Sequence, residues 1–190
     1  MRSFFFMSLC TAMLWSIPAF SKPALQEKTE FYDIQGTTTK QLLQAIVENG
    51  FEEKDGSICA AHTDWRVNWD LKYFPQGDQA CALTDFKVSV TAEYLLPQFS
   101  NIENAPADLK QKWQTFIHAL TFHEQGHKDL AVQAAGDIEA AFKNLPPESN
   151  CNELRQSANA EAEKIIRGYR KKEKQYDIDT DHGKTQGAVL

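Results

Sequence analysis

After residue 20 the sequence has no long uninterrupted apolar run, so the rest of the chain offers no candidate membrane-spanning helix. It also lacks the glycine period of collagen, an unbroken heptad repeat and the cysteine density of small disulfide-built proteins. A net charge of -6 argues against nucleic acids and anionic membranes as partners. What remains, 42% hydrophobic and 24% charged residues in a chain of 190, is typical of one globular domain.

The first 21 residues have the pattern of a secretory signal peptide. Arg2 supplies the positive start, an apolar run follows from Phe4 to Trp15, and Ala19-Phe20-Ser21 supplies small residues for cleavage before residue 22. Cleavage would leave residues 22–190 as a single domain, and the loss of Arg2 would change the net charge from -6 to -7. We therefore expect a periplasmic or secreted protein with no membrane contact after cleavage.

Three cysteines remain after the predicted cleavage, namely Cys59, Cys81 and Cys151. An oxidising compartment allows one disulfide among them, and the residues alone permit three pairings. Because the chain has no CxxC motif, a structural zinc knuckle built on thiolates is disfavoured.

Two segments alternate strictly between apolar and polar residues, Trp65–Tyr73 and Phe86–Leu96. Pro75-Gln76-Gly77-Asp78 supplies a turn between them, so we expect an antiparallel pair of strands. A shorter strand is predicted at Phe31–Ile34, and Thr37 or Thr38 should cap a helix after it.

A long helical pattern begins at Pro106 and continues to Leu145. At about 1.5 Å per residue it would extend nearly 60 Å, so we expect a bend or break at Gly126 or Gly136. After two prolines, Ser149 or Asn150 should cap a last helix. The run Arg170–Lys174 is interpreted as the solvated end of that helix.

The long helical pattern contains His123-Glu124-Gln125-Gly126-His127, an HExxH motif. Two histidines four residues apart lie on one helix face and can bind the same Zn²⁺. Glu124 lies beside them and can reach a metal-bound water without being a ligand. We therefore expect an α+β, zincin-like fold, in which a small antiparallel sheet packs on the long HExxH helix and a second, C-terminal helix.

Catalytic zinc normally takes three protein ligands, so a third is required. The segment after the motif lacks the glycine and histidine of the metzincin extension. Glu161 and Glu163 would fit a His/His/Glu scheme, although their surroundings favour a solvated face. His182, in the tail Tyr176–Gly183 that should follow the last helix, is the other candidate. An aspartate of that tail is a further alternative.

The chain resembles the family of bacterial predicted secreted zinc-dependent proteases catalogued as domain of unknown function number 922. The motifs that carry the resemblance run through nearly all of the chain after the signal peptide: Tyr32-Asp33-Ile34, Gly36-Thr37-Thr38, Thr63-Asp64-Trp65, Trp69, His123-Glu124-Gln125-Gly126-His127, Tyr176-Asp177, Thr180, His182-Gly183 and Gln186-Gly187-Ala188. The resemblance implies export and a zinc site. It also implies a disulfide between Cys81 and Cys151, with Cys59 outside the pair, and it favours His182 as the third ligand beside His123 and His127.

We expect a zinc metallopeptidase acting on a peptide or protein. Glu124 would be the general base, and Tyr176 could donate a hydrogen bond to the oxyanion. Two alternatives stay open: a non-catalytic binding module in which zinc fixes the tail onto the helix, and an amidase acting on cell-wall peptide.

Overall fold

A computed structural model describes residues 23–54, 56–75 and 80–190 of the chain. The predicted signal peptide and the turn at 76–79 lie outside the described residues. The elements are β1 (Ala24–Ile34), α1 (Thr39–Asn49), β2 (Phe51–Glu52), β3 (Ile58–Cys59), β4 (His62–Pro75), β5 (Cys81–Phe99), α2 (Ala107–Lys143) and α3 (Cys151–Thr180), with short 3-10 turns at Ile102–Asn104 and Lys184–Gln186. The fold is α+β, as predicted.

The main sheet has three strands in the order β1-β5-β4. β4 and β5 are antiparallel, with Trp65 opposite Ala92, which confirms the predicted pair. β1, however, runs parallel to β5 from Ala24 opposite Ser89 to Ile34 opposite Phe99. The sheet is therefore mixed, so the prediction of an antiparallel sheet is wrong for β1, which is also longer than the predicted Phe31–Ile34. β2 and β3, which come between α1 and β4 in the sequence, form a separate antiparallel hairpin.

The helical layer consists mainly of α2 and α3, which pack against each other and the sheet. α2 is one continuous helix of 37 residues, about 55 Å long. A break at Gly126 or Gly136 is therefore wrong, and the alternative prediction of a bend there stays a prediction. α3 begins after Asn150, whose side chain accepts from the backbone N–H groups of Asn152 and Glu153, the second and third residues of the helix. None of the helices in the described part of the chain combines the length and apolar character needed to cross a bilayer.

α3 continues to Thr180, well past the basic run in which its end was predicted. The interpretation of Arg170–Lys174 as a solvated helix end is wrong, because Arg170 and Glu173 both contact Trp65 of β4. As a result Tyr176 and Asp177, assigned to an irregular tail on sequence grounds, are helical residues.

A disulfide between Cys81 and Cys151 joins the start of β5 to the start of α3, which confirms the predicted pairing. Cys81 is fully buried, and its backbone also exchanges two hydrogen bonds with Glu148. The first turn of α3 is thereby fixed to the sheet.

The buried apolar side chains form two clusters that meet along α2. One joins α1, the end of β1 and the first part of α2 as far as Leu120. The other joins β4, β5, α3 and the second part of α2 from Ala131 onward. The HExxH segment lies between the two clusters, where the inward face of α2 is polar.

Candidate metal centre

The two motif histidines lie together on the inward face of α2. His123 and His127 are 3% and 7% exposed, and their Nε2 atoms are 3.3 Å apart. Residues four apart in a helix are about one turn apart, so this approach follows from the spacing itself. The structure therefore brings the two predicted histidine ligands together.

A carboxylate from α3 completes a triangle with these two nitrogens. Asp177 Oδ1 lies 3.3 Å from His123 Nε2 and 3.1 Å from His127 Nε2. In a tetrahedral zinc site with bonds of about 2.0–2.1 Å, ligand atoms are separated by about 3.3 Å. The three atoms therefore fit one face of such a tetrahedron. Their residues, His123, His127 and Asp177, form a group that could hold a metal ion.

The charges in this cluster depend strongly on one another. Burial disfavours the charged form of His127, but the carboxylates of Asp177 and Glu173 outweigh burial and raise the pKa of His127 to about 10. Burial likewise acts to raise the pKa of Asp177, yet hydrogen bonds from both imidazoles hold that pKa well below its usual range. The carboxylate is thus anionic and favours a positive charge between the two rings, from a proton or a metal ion.

The outer nitrogen of each ring faces an acceptor. His123 Nδ1 lies 3.0 Å from Oε1 of Gln186, and His127 Nδ1 lies 3.6 Å from Oε1 of Glu173. An acceptor at Nδ1 favours the tautomer that keeps the Nε2 lone pair for a metal. Gln186 thus orients the His123 ring as a metal-binding histidine requires, whereas Glu173 lies beyond hydrogen-bond distance of His127 Nδ1, which is buried without a hydrogen-bond partner among the described residues.

Glu173 is itself held by two donors. Trp65 Nε1 donates to its Oε1 at 2.6 Å, and Arg170 donates to its Oε2 at 3.0 Å. Arg170 also stacks on the Trp65 ring, 3.6 Å from its centroid. Burial acts to raise the pKa of Glu173, but His127, Arg170 and Trp65 together keep that pKa below its ordinary value. This network fixes α3 to β4 beside His127.

Glu124 is buried, with 3% of its surface exposed, and its carboxylate reaches β4. Thr63 donates a hydrogen bond from Oγ1 to Glu124 Oε2 at 2.6 Å. One carboxylate oxygen is thereby fixed, and both residues line the same cavity as the histidines. The motif glutamate is therefore buried in the same cavity as the histidines, with one carboxylate oxygen hydrogen-bonded to β4.

Tyr176 packs on the other side of His123. Its ring stacks on the imidazole at a centroid distance of 5.0 Å, and its hydroxyl donates to the His123 carbonyl at 3.2 Å. The approach depends on Gly126, because a Cβ there would lie 2.2 Å from the Tyr176 hydroxyl. Tyr176 is not among the residues lining the cavity, and its predicted role at the oxyanion stays a prediction.

A cavity of about 630 Å³ opens at the histidines. His182 lines it, but His182 is exposed and is not part of the three-residue group that the described structure brings together. Its assignment as third ligand stays a prediction. Glu161 and Glu163 form ion pairs within α3, with Lys164 and Arg167, outside this group.

The chain was compared with known protein families, with curated proteins and with solved structures. The family described as "Bacterial protein of unknown function (DUF922)" matches residues 29–183, which is most of the chain. The chain belongs to this family. No curated protein and no solved structure matches it.

Sequence reasoning gave Glu173 no role at the site, noted Thr63 only as part of a family motif, and ranked the tail aspartate behind His182. The signal that could have found the α3 residues is the spacing of its buried face. Ala162, Ile165 and Tyr169 lie three or four residues apart on this face, and Glu173 and Asp177 continue it at intervals of four, as they would if the helix did not end at its basic run.

Proposed function

We propose that this DUF922 protein is an exported zinc-dependent metallopeptidase whose metal ligands are His123, His127 and Asp177. The observation that carries the proposal is the triangle of ligand atoms, with sides of 3.1–3.3 Å, beside the buried carboxylate of an HExxH motif. Two imidazoles and one carboxylate are a common donor set for catalytic zinc, which keeps its fourth position for water.

A bound zinc ion would polarise the peptide carbonyl and acidify a water molecule. Glu124 would accept the proton of that water and pass it to the leaving amine. Thr63, hydrogen-bonded to one oxygen of Glu124, would leave the other oxygen for the proton transfer. Glu173 and Gln186 would keep the two imidazoles oriented through their Nδ1 atoms.

Tyr176 has a positioning role in this proposal. Its hydroxyl donates to the backbone of α2 and accepts from Gln186 Nε2 at 3.0 Å, so it holds His123 and the chain after α3 together. Asp177 follows Tyr176 in α3, so the same helical turn brings Asp177 next to the two histidines.

A non-catalytic zinc-binding module is the second candidate. The observation in its favour is the set of contacts from Tyr176, Thr180 and Gln186 to His123, which a metal would reinforce without any reaction. Glu124 distinguishes the two functions, because a purely structural zinc site has no use for a buried carboxylate beside its ligands. An amidase acting on cell-wall peptide would use the same centre on a different substrate.

Metal analysis combined with a hydrolysis assay tests the proposed function. We expect one zinc per chain, cleavage of a reduced and alkylated protein, loss of cleavage with a chelator, and recovery when one equivalent of zinc is added. Cleavage that a chelator leaves intact would contradict the proposal. Stoichiometric zinc without cleavage of protein or of cell-wall peptide would favour the binding module, and cleavage of cell-wall peptide alone would favour the amidase.

A further inference from the structure

The cavity at the metal centre continues into an apolar end. On α2, Leu120 and Phe116 lie about one and two turns before Glu124, are each 4% exposed, and line the same cavity. Since one helical turn advances about 5.4 Å, the cavity floor changes from metal ligands to apolar side chains within a single turn.

The walls of this end are apolar as well. α1 contributes Leu43 and Ile46, and β3 contributes Ile58. Leu43 and Ile58 are 44% and 38% exposed, although both are large aliphatic residues. Val189, 63% exposed, is a third exposed aliphatic side chain in the lining. Exposed aliphatic side chains that converge on one cavity mark a binding surface.

We propose that this apolar end, formed by Leu43, Ile46, Ile58, Phe116 and Leu120, binds a large aliphatic or aromatic side chain next to the scissile bond of an extended peptide. The inference rests on the proposed function and names its substrate class. Consecutive Cα atoms of a peptide are 3.8 Å apart, so a carbonyl at the metal centre puts a flanking side chain about one helical turn away. Leu120 lies about one turn before His123 on α2, and so at about that distance from the metal centre.

The same geometry disfavours charged side chains at this position. A charged group placed between Leu43, Ile58 and Leu120 would lose its hydration without gaining a partner from these three side chains. A leucine or phenylalanine side chain would instead remove apolar surface from water on both partners.

α1 provides a matched control. Val47 lies one turn after Leu43, is 58% exposed, and is not among the residues that line the cavity. Leu43→Ser and Val47→Ser therefore make comparable changes on one helix, inside and outside the proposed subsite. Ile58→Ser, on the hairpin, tests the subsite independently of α1.

The test uses the zinc-loaded protein and two succinyl hydroxamates that differ only by an isobutyl group, with binding measured by calorimetry. We expect the isobutyl group to tighten binding by about tenfold to a hundredfold, as burial of a leucine side chain does. Leu43→Ser and Ile58→Ser should each remove most of that gain, and Val47→Ser should keep it.

The unsubstituted hydroxamate reports the metal centre alone. If it binds and the isobutyl group adds nothing, or if Val47→Ser weakens the gain as much as Leu43→Ser, the inference fails while the proposed function stands. If neither compound binds, the metal-centred function fails and the inference fails with it.

Discussion

Asp177 lies on α3 one turn after Glu173, and its carboxylate contacts both imidazoles of α2, whereas Glu173 faces His127 alone. A residue-by-residue reading of the sequence found the histidines and Glu124 because their spacing is itself the motif. It could not rank Asp177 above His182, since the choice depends on where α3 ends and which face it turns to α2. Imidazole and carboxylate are both good zinc ligands, so chemistry alone does not decide between them.

Alanine substitutions separate these two candidates. Asp177→Ala should weaken zinc binding by more than about a hundredfold, because even changes in residues behind the ligands cost ten- to a hundredfold. His182→Ala should leave the affinity within about threefold of the original, as should Asp179→Ala, an exposed carboxylate on the same helix. Competition with a chromophoric chelator measures all three. Loss of zinc in His182→Ala with retention in Asp177→Ala would restore His182 as the ligand.

At the scale of elements, α2 and α3 pack closely because Gly126 leaves room for the Tyr176 ring. Helix propensity suggested that this glycine interrupts α2, but tertiary packing outweighs that preference.

Most of the strand β1 was not predicted, for a different reason. It lies at the edge of the sheet and Ala24–Phe31 are all exposed, so no alternation of apolar and polar residues marks it. Its parallel pairing with β5 involves residues far apart in sequence, which no local pattern encodes.

The two glycines of α2 allow a matched test of this packing. Gly126→Ala puts a Cβ 2.2 Å from the Tyr176 hydroxyl and 2.5 Å from its Cζ, so either the Tyr176 ring or α3 must shift. We expect a loss of about 1–3 kcal/mol in the free energy of unfolding, together with weaker zinc binding. Gly136→Ala meets no atom within 4 Å and should stabilise the helix by about 0.5–1 kcal/mol. Urea unfolding measures both, and equal effects of the two substitutions would refute the packing argument.

At the scale of the whole molecule, the polar metal centre lies where two apolar clusters meet, and the sheet and disulfide hold the two long helices around it. The antiparallel pair β4–β5, the two helices and the motif were predictable, because each has a local period or spacing. The Cys81–Cys151 pairing came from family resemblance, since three cysteines permit three pairings. Residues such as Thr63 and Glu173 contribute through contacts between distant elements, so no sequence pattern indicated what they do.

The disulfide should contribute strongly to stability. It spans 70 residues of sequence, so the chain-entropy estimate for its removal is about 4 kcal/mol. The double variant Cys81→Ala/Cys151→Ala should lower the free energy of unfolding by roughly 2–5 kcal/mol in a urea titration. Cys59→Ala, outside the bridge, is the control and should have a much smaller effect. Equal losses in the two proteins would show that the bridge adds nothing beyond the removal of a thiol.

The most direct test of the account is the zinc content and the hydrolytic rate of Glu124→Gln, measured on the same preparation. The substitution keeps the shape of the side chain and leaves His123, His127 and Asp177 in place, so zinc should remain at one per chain. Hydrolysis of an unfolded protein should fall by at least about a hundredfold, since general-base catalysis contributes 10²–10⁴. Full zinc occupancy with undiminished hydrolysis would contradict the assignment of Glu124 as the base.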